Sequence, residues 1–178
     1  MKTLVVNFYG GPGSGKSTMT NRVFAELKDL GYNAEIAGEY AKDLTWQESH
    51  NVLNNQIYVF GKQQHRIWRL NGKVQIILTD SPLLFSLIYG REKTSILFKY
   101  FVEDEYRRYN NMNIFLNRVK PYNPSGRNQT EDEAKVLDTD IYDIVSGFGI
   151  DLKIDGQKSS AETIVNNIIS KYNQLNEN

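Results

Sequence analysis

The 178-residue sequence contains no cysteine. Disulfides, cysteine-ligated zinc and thiol nucleophiles are therefore excluded, and a reducing, cytoplasmic setting is the expectation. There is no excess of charge of either sign, because 21 lysines and arginines face 21 aspartates and glutamates. A neutral total gives no general attraction to nucleic acid or to a membrane surface, although a local basic groove is compatible with it. No run approaches the ~20 apolar residues that a membrane span requires. The apolar start that follows Lys2 is short and is interrupted by Asn7, so it reads as a buried strand rather than a leader. Internal repeats and low-complexity tracts are absent. The only histidines, His50 and His65, lack metal-ligand spacing and read as structural.

What remains is an ordinary single domain. A chain of this length can bury roughly 70% of its unfolded surface without a staple. Its 11 tyrosines read as mixed core and surface packing. Hydrophobic patterning predicts strands at residues 3–9, 33–37, 73–79, 111–117 and 150–154. Helices are expected at 16–30, with Val23, Leu27 and Leu30 on one stripe, and at 47–70, with Val52, Ile57 and Phe60 inward. Pro82 opens another helix. Thr130 and Glu133 form a capping box for a helix at 131–147, where Glu131 and Asp132 also suit the dipole. A last helix covers 159–172 with Ile164, Ile168 and Ile169 inward, and residues 173–178 are expected to fray. Alternating strands and helices imply an α/β fold with a five-stranded parallel sheet covered on both faces. Ligands of such sheets bind beyond the carboxyl ends of the strands.

The segment GGPGSGKS fits G-x-x-x-x-G-K-S from Gly10 to Ser17 and lies between a strand and a helix. Glycines let backbone N–H groups turn inward around an anion, and the following helix aims its positive end at it. Gly11, Gly13, Ser14, Gly15, Lys16, Ser17 and Thr18 are thus the candidate nucleotide-binding residues. Lys16 is expected to reach the β and γ phosphates, and the Ser17 hydroxyl to hold Mg²⁺. Asp80, directly after the third strand, is a candidate second metal ligand, direct or through water, or a helix cap.

Taken together, the P-loop, GEYAKDLTW, TDSPLLFSLIYG, RVKPYNPSGR and IDG resemble small P-loop kinases. The nearest likenesses are nucleoside kinases and nucleoside monophosphate kinases, with nicotinamide-riboside-kinase-like AAA-family proteins close by. The resemblance implies a three-layer αβα P-loop NTPase sandwich, a mobile lid and transfer of the γ-phosphoryl group of ATP to a small acceptor. It implies that Glu39 accepts the proton of an attacking hydroxyl or holds the acceptor, with Trp46 near the acceptor. The arginine expected beside Asp80 is missing. Arg66 and Arg69 are candidates to replace its charge, and Gln63 and Gln64 to read a base edge, against the plain alternative of exposed helix faces. Arg118, Lys120 and Arg127 lie in a loop, 118–130, that matches the lid; Arg118 and Arg127 are the candidate catalytic arginines. Asp155 and Gly156 match the loop that packs on adenine.

Two other functions fit the same residues. One is a nucleotide-driven switch or ATPase with water as its only acceptor. The other is a kinase acting on a polynucleotide or a modified base within one, against which the neutral charge argues.

Overall fold

The computed structural model describes residues 1–91, 93–119 and 130–177. Five strands, β1 (Leu4–Tyr9), β2 (Ala34–Ile36), β3 (Ile76–Thr79), β4 (Asn110–Asn117) and β5 (Leu152–Asp155), form one sheet in the order β2-β3-β1-β4-β5. Every pairing is parallel, with Leu4 opposite both Ile76 and Asn110. Parallel neighbours need crossovers, and helices supply them. The sheet buries both faces, which explains the unbroken apolar run of β1. Leu4, Val6 and Phe8 face one layer, formed by α1 (Lys16–Asp29) and α8 (Ala161–Glu177). Val5 and Tyr9 face the other, formed by α4 (Gln56–Trp68), α5 (Phe85–Tyr89), α6 (Ile96–Arg107) and α7 (Glu131–Ser146). This is the expected three-layer αβα sandwich.

Several local expectations need correction. The single long helix expected at 47–70 is two helices, α3 (His50–Asn54) and α4, and a further helix that the sequence did not announce, α2 (Tyr40–Trp46), precedes them. Glu48, in the left-handed region at φ 52°, separates α2 from α3, and the Asn55 side chain caps α4. The stripe shifts accordingly: Val59, Phe60, Gln63 and Ile67 are buried, whereas Val52 and Ile57 are exposed. Leu30 is also exposed, because α1 stops at Asp29 and the chain turns at Gly31. Pro82 lies in a turn, and regular helix begins only at Phe85. The helix α6 that follows carries no sequence expectation of its own. The C-terminus does not fray at 173, since α8 continues to Glu177 with Asn176 bonded to Lys2. The capping box of α7 is present, with Thr130 accepting from the Glu133 N–H and Glu133 accepting from the Thr130 N–H. Residues 120–129, with Lys120, Arg127 and most of the expected lid, lie outside the described residues.

Candidate active site

All five strands run the same way, so the residues that follow them gather at one edge. There the chain after β1 turns into the P-loop. Gly10, Gly13 and Gly15 have φ of 133°, 86° and 96°, values that glycine alone adopts without strain. Gly15 caps α1, whose first residues are Lys16, Ser17 and Thr18. The Lys16 ammonium lies folded into the loop, donating to the Gly10 carbonyl at 2.7 Å and the Gly11 carbonyl at 3.0 Å. Burial pushes its pKa down, against the opposing pull of Glu39, Asp80 and Asp138. The Ser14 hydroxyl is buried without a partner among the described residues. A glycine-rich loop at a helix N-terminus, a desolvated ammonium and a hydroxyl at the helix start form a set that fits a polyphosphate.

The outside of the loop is braced from two sides. Arg118, just after β4, donates to the Pro12 carbonyl at 2.7 Å and pairs with Asp138 of α7 at 2.8 Å. Asp138 also accepts from the Gly11 N–H. On the other side Gly156 sits against the loop backbone, where a Cβ would stand 2.5 Å from the Ser14 carbonyl oxygen. Asp155 is exposed and accepts a hydrogen bond from Asn117.

Glu39 follows β2 at the N-cap of α2. Burial raises its pKa, with Lys16 pulling down and Asp80 pushing up. Asp80 is itself buried at the end of β3, so the two acids and Lys16 form one electrostatic cluster. It caps no helix: α5 starts later, without a side-chain cap. Two residues of α4 clasp the backbone on either side of Glu39. Gln63 accepts from the Tyr40 N–H at 3.0 Å, and Arg66 donates to the Gly38 carbonyl at 3.0 Å while pairing with Asp43. Gln63 also donates to Ala37 and Thr79, which leaves its amide committed to the protein. Gln64 bonds Glu105 and Tyr109 instead, His65 stacks on Trp68, and Arg69 is exposed at the end of α4.

A cavity of about 560 Å³ joins these groups. Gly13, Gly15, Lys16, Ser17, Thr18, Glu39, Trp46 and Gln63 line it, whereas Arg66 does not. The sequence alone did not single out Phe85, Tyr89 or Lys93, which line its other walls. Lys16 stands 5.6 Å from the Phe85 ring centroid. Burial, then Glu39, pushes the Tyr89 hydroxyl up to about 12. Aromatic spacing after Pro82 was the available signal for Phe85 and Tyr89; nothing marked Asp138 among the other acids of its helix. Among the described residues, no group of three or more acidic or imidazole side chains forms a metal cage. Ser17 and Asp80 are the residues of this site that could hold a magnesium ion, a hard ion that takes oxygen ligands.

Comparison with known proteins gives a consistent frame. No curated protein matches the sequence. Among solved structures, a deoxyadenosine kinase from M. mycoides with bound dATP superposes with a TM-score of 0.52 at 18% identity, covering 97% of this chain and 100% of that one. Shikimate kinase from Aquifex aeolicus gives 0.47 at 18% identity, covering 97% and 99%. APS kinase from Mycobacterium tuberculosis gives 0.44 at 18% identity, covering 83% and 99%. At such identities the likeness speaks for the fold alone. The family described as an AAA domain matches residues 5–162, from β1 into α8, and the chain belongs to that family of P-loop proteins.

Proposed function

We propose that this protein is an ATP- and Mg²⁺-dependent phosphotransferase that moves the γ-phosphoryl group to a hydroxyl of a small acceptor, a nucleoside, nucleotide or related compound. The observation that carries the reading is the electrostatic cluster of Lys16, Glu39 and Asp80, of which Lys16 and Glu39 line one cavity. A P-loop that only hydrolyses nucleotide can also use a held carboxylate to take a proton from water, but it has no need of a cavity of about 560 Å³ with aromatic side chains beside that carboxylate. In the proposed step the acceptor oxygen attacks the γ-phosphorus while the bond to the β,γ-bridging oxygen breaks. The hydroxyl proton passes to Glu39, and the nucleoside diphosphate leaves. Lys16 and the loop N–H groups hold the phosphate oxygens as charge shifts onto the leaving group. Bound at Ser17 and Asp80, magnesium supplies further neutralisation of phosphate charge.

The raised pKa of Glu39 suits a base, because a carboxylate nearer neutrality accepts a proton more readily. The test is transfer of label from γ-labelled ATP into a screen of nucleosides and nucleotides. Lys16→Ala is expected to lose transfer by a factor of at least a hundred while keeping the far-ultraviolet spectrum of the wild type. Full transfer by a folded Lys16→Ala variant would contradict the reading.

A further inference from the structure

Besides Lys16, two cations line the cavity: Lys42, which acts on Glu39 from the same helix turn, and Lys93, whose purpose the transfer step leaves open. Lys93 follows α5 and lines the same cavity as Glu39. Its ammonium donates to the neutral Asn54 side chain at 2.8 Å, at the end of α3, and among the described residues it has no carboxylate partner. Lys16, by contrast, is compensated by Glu39, Asp80 and Asp138. An ammonium has three donors, and an amide oxygen uses one of them. The same lining carries the apolar and aromatic side chains Trp46, Leu53, Val59, Phe85 and Tyr89. Such walls take a flat ring system.

Resting on the phosphotransferase reading, we infer that the acceptor is a hydroxyl compound that already carries an anionic group, most simply a phosphate monoester, and that Lys93 is its anchor. The hydroxyl faces Glu39 and the anion meets Lys93, with the planar body between the aromatic walls. A cation on a cavity wall attracts an anion over about a Debye length and then holds it by charge-assisted hydrogen bonds. The new bond is a second, separate phosphate ester. It is not a phosphoanhydride, because an acceptor phosphate is already ionised and has no use for the Glu39 base.

The experiment pairs nucleosides with their monophosphates as acceptors, using ATP, Mg²⁺ and the full chain, with products read by phosphorus NMR. We expect kcat/KM to favour the monophosphate by at least tenfold, and the product to show two uncoupled monoester resonances. Lys93→Ala is expected to lower that preference about tenfold, and Lys93→Arg to retain it. Asn54→Ala, which removes the bond but keeps the cation, is expected to retain it as well. Three results would overturn the inference: preference for the unphosphorylated nucleoside, a preference unaffected by Lys93→Ala, or phosphorus–phosphorus coupling that marks an anhydride. Transfer confined to unphosphorylated acceptors would leave the phosphotransferase reading standing, whereas transfer to no acceptor would remove both.

Discussion

Glu39 combines a functional charge with an unfavourable setting. Burial raises its pKa despite Lys16, so the ionised form is the disfavoured one in the folded protein. A carboxyl with a raised pKa contributes stability below its ordinary range and loses it as pH rises through the raised value. Glu39→Gln is therefore expected to raise the melting temperature of the nucleotide-free protein at pH 8, with less gain at pH 4.5, while cutting kcat by a hundredfold or more. The acid limb of the wild-type kcat profile should lie above the ordinary glutamate range and vanish in this variant. An unchanged profile would show that Glu39 carries no proton in the reaction. Arg66 acts on the same residue at one remove, through the Gly38 carbonyl and Asp43. Arg66→Met should lower kcat with little change in KM for ATP, and Arg66→Lys should recover part of the loss. Equal loss of nucleotide affinity would make Arg66 part of the general fold instead. These grips were not legible in sequence. Gln63 and Arg66 read as groups facing the acceptor because only the separate helix α2 and the break of 47–70 into α3 and α4 let both meet the start of α2.

At the scale of elements, the P-loop keeps its shape because two neighbours leave it no room. Gly156 joins β5 to the helix layer and meets the Ser14 carbonyl so closely that even a methyl group forces the backbone apart. Gly156→Ala is expected to weaken ATP binding at least tenfold, measured by calorimetry. Gly61 is the control. It sits inside α4 with open space around its Cα, so Gly61→Ala should stabilise the protein by up to about 1 kcal/mol and leave ATP binding unchanged. Similar effects of the two changes would refute the idea that steric closure at 156 shapes the loop. The Arg118–Asp138 pair braces the other flank, with side chains 12% and 24% exposed. Asp138→Ala removes the acceptor of the Gly11 N–H and the carboxylate partner of Arg118, which keeps its bond to the Pro12 carbonyl, and a cost of about 1–3 kcal/mol is expected from chemical denaturation. Strands and the capping box of α7 were readable at this scale because period and cap chemistry are local. The Arg118–Asp138 bridge was not, since the resemblance reads Arg118 as a lid arginine and an acid on an amphipathic helix looks solvated until the fold brings the two together.

The whole molecule places its chemistry by one rule. Parallel strands in the order β2-β3-β1-β4-β5 put the carboxyl ends of β1, β2 and β3 side by side, and with them Lys16, Glu39 and Asp80. The sheet order could not be read from sequence, because apolar strands specify burial and not which neighbour they take. The P-loop was legible from eight residues; of the rest of the cavity, assembled from α2, α3, α4 and α5, the sequence marked Glu39, Trp46 and Gln63 but not Phe85, Tyr89 or Lys93. The claim that this assembly is a phosphotransferase and not a nucleotide-hydrolysing switch meets its most direct test in the fate of the γ-phosphate. Labelled ATP, Mg²⁺ and a panel of nucleosides and nucleotides are incubated with the protein, and the label is partitioned between new phosphate esters and inorganic phosphate. The account predicts label in an ester for at least one acceptor, abolished by Lys16→Ala and strongly reduced by Glu39→Gln. Label appearing solely as inorganic phosphate, at a rate indifferent to every acceptor and to Glu39→Gln, would contradict it.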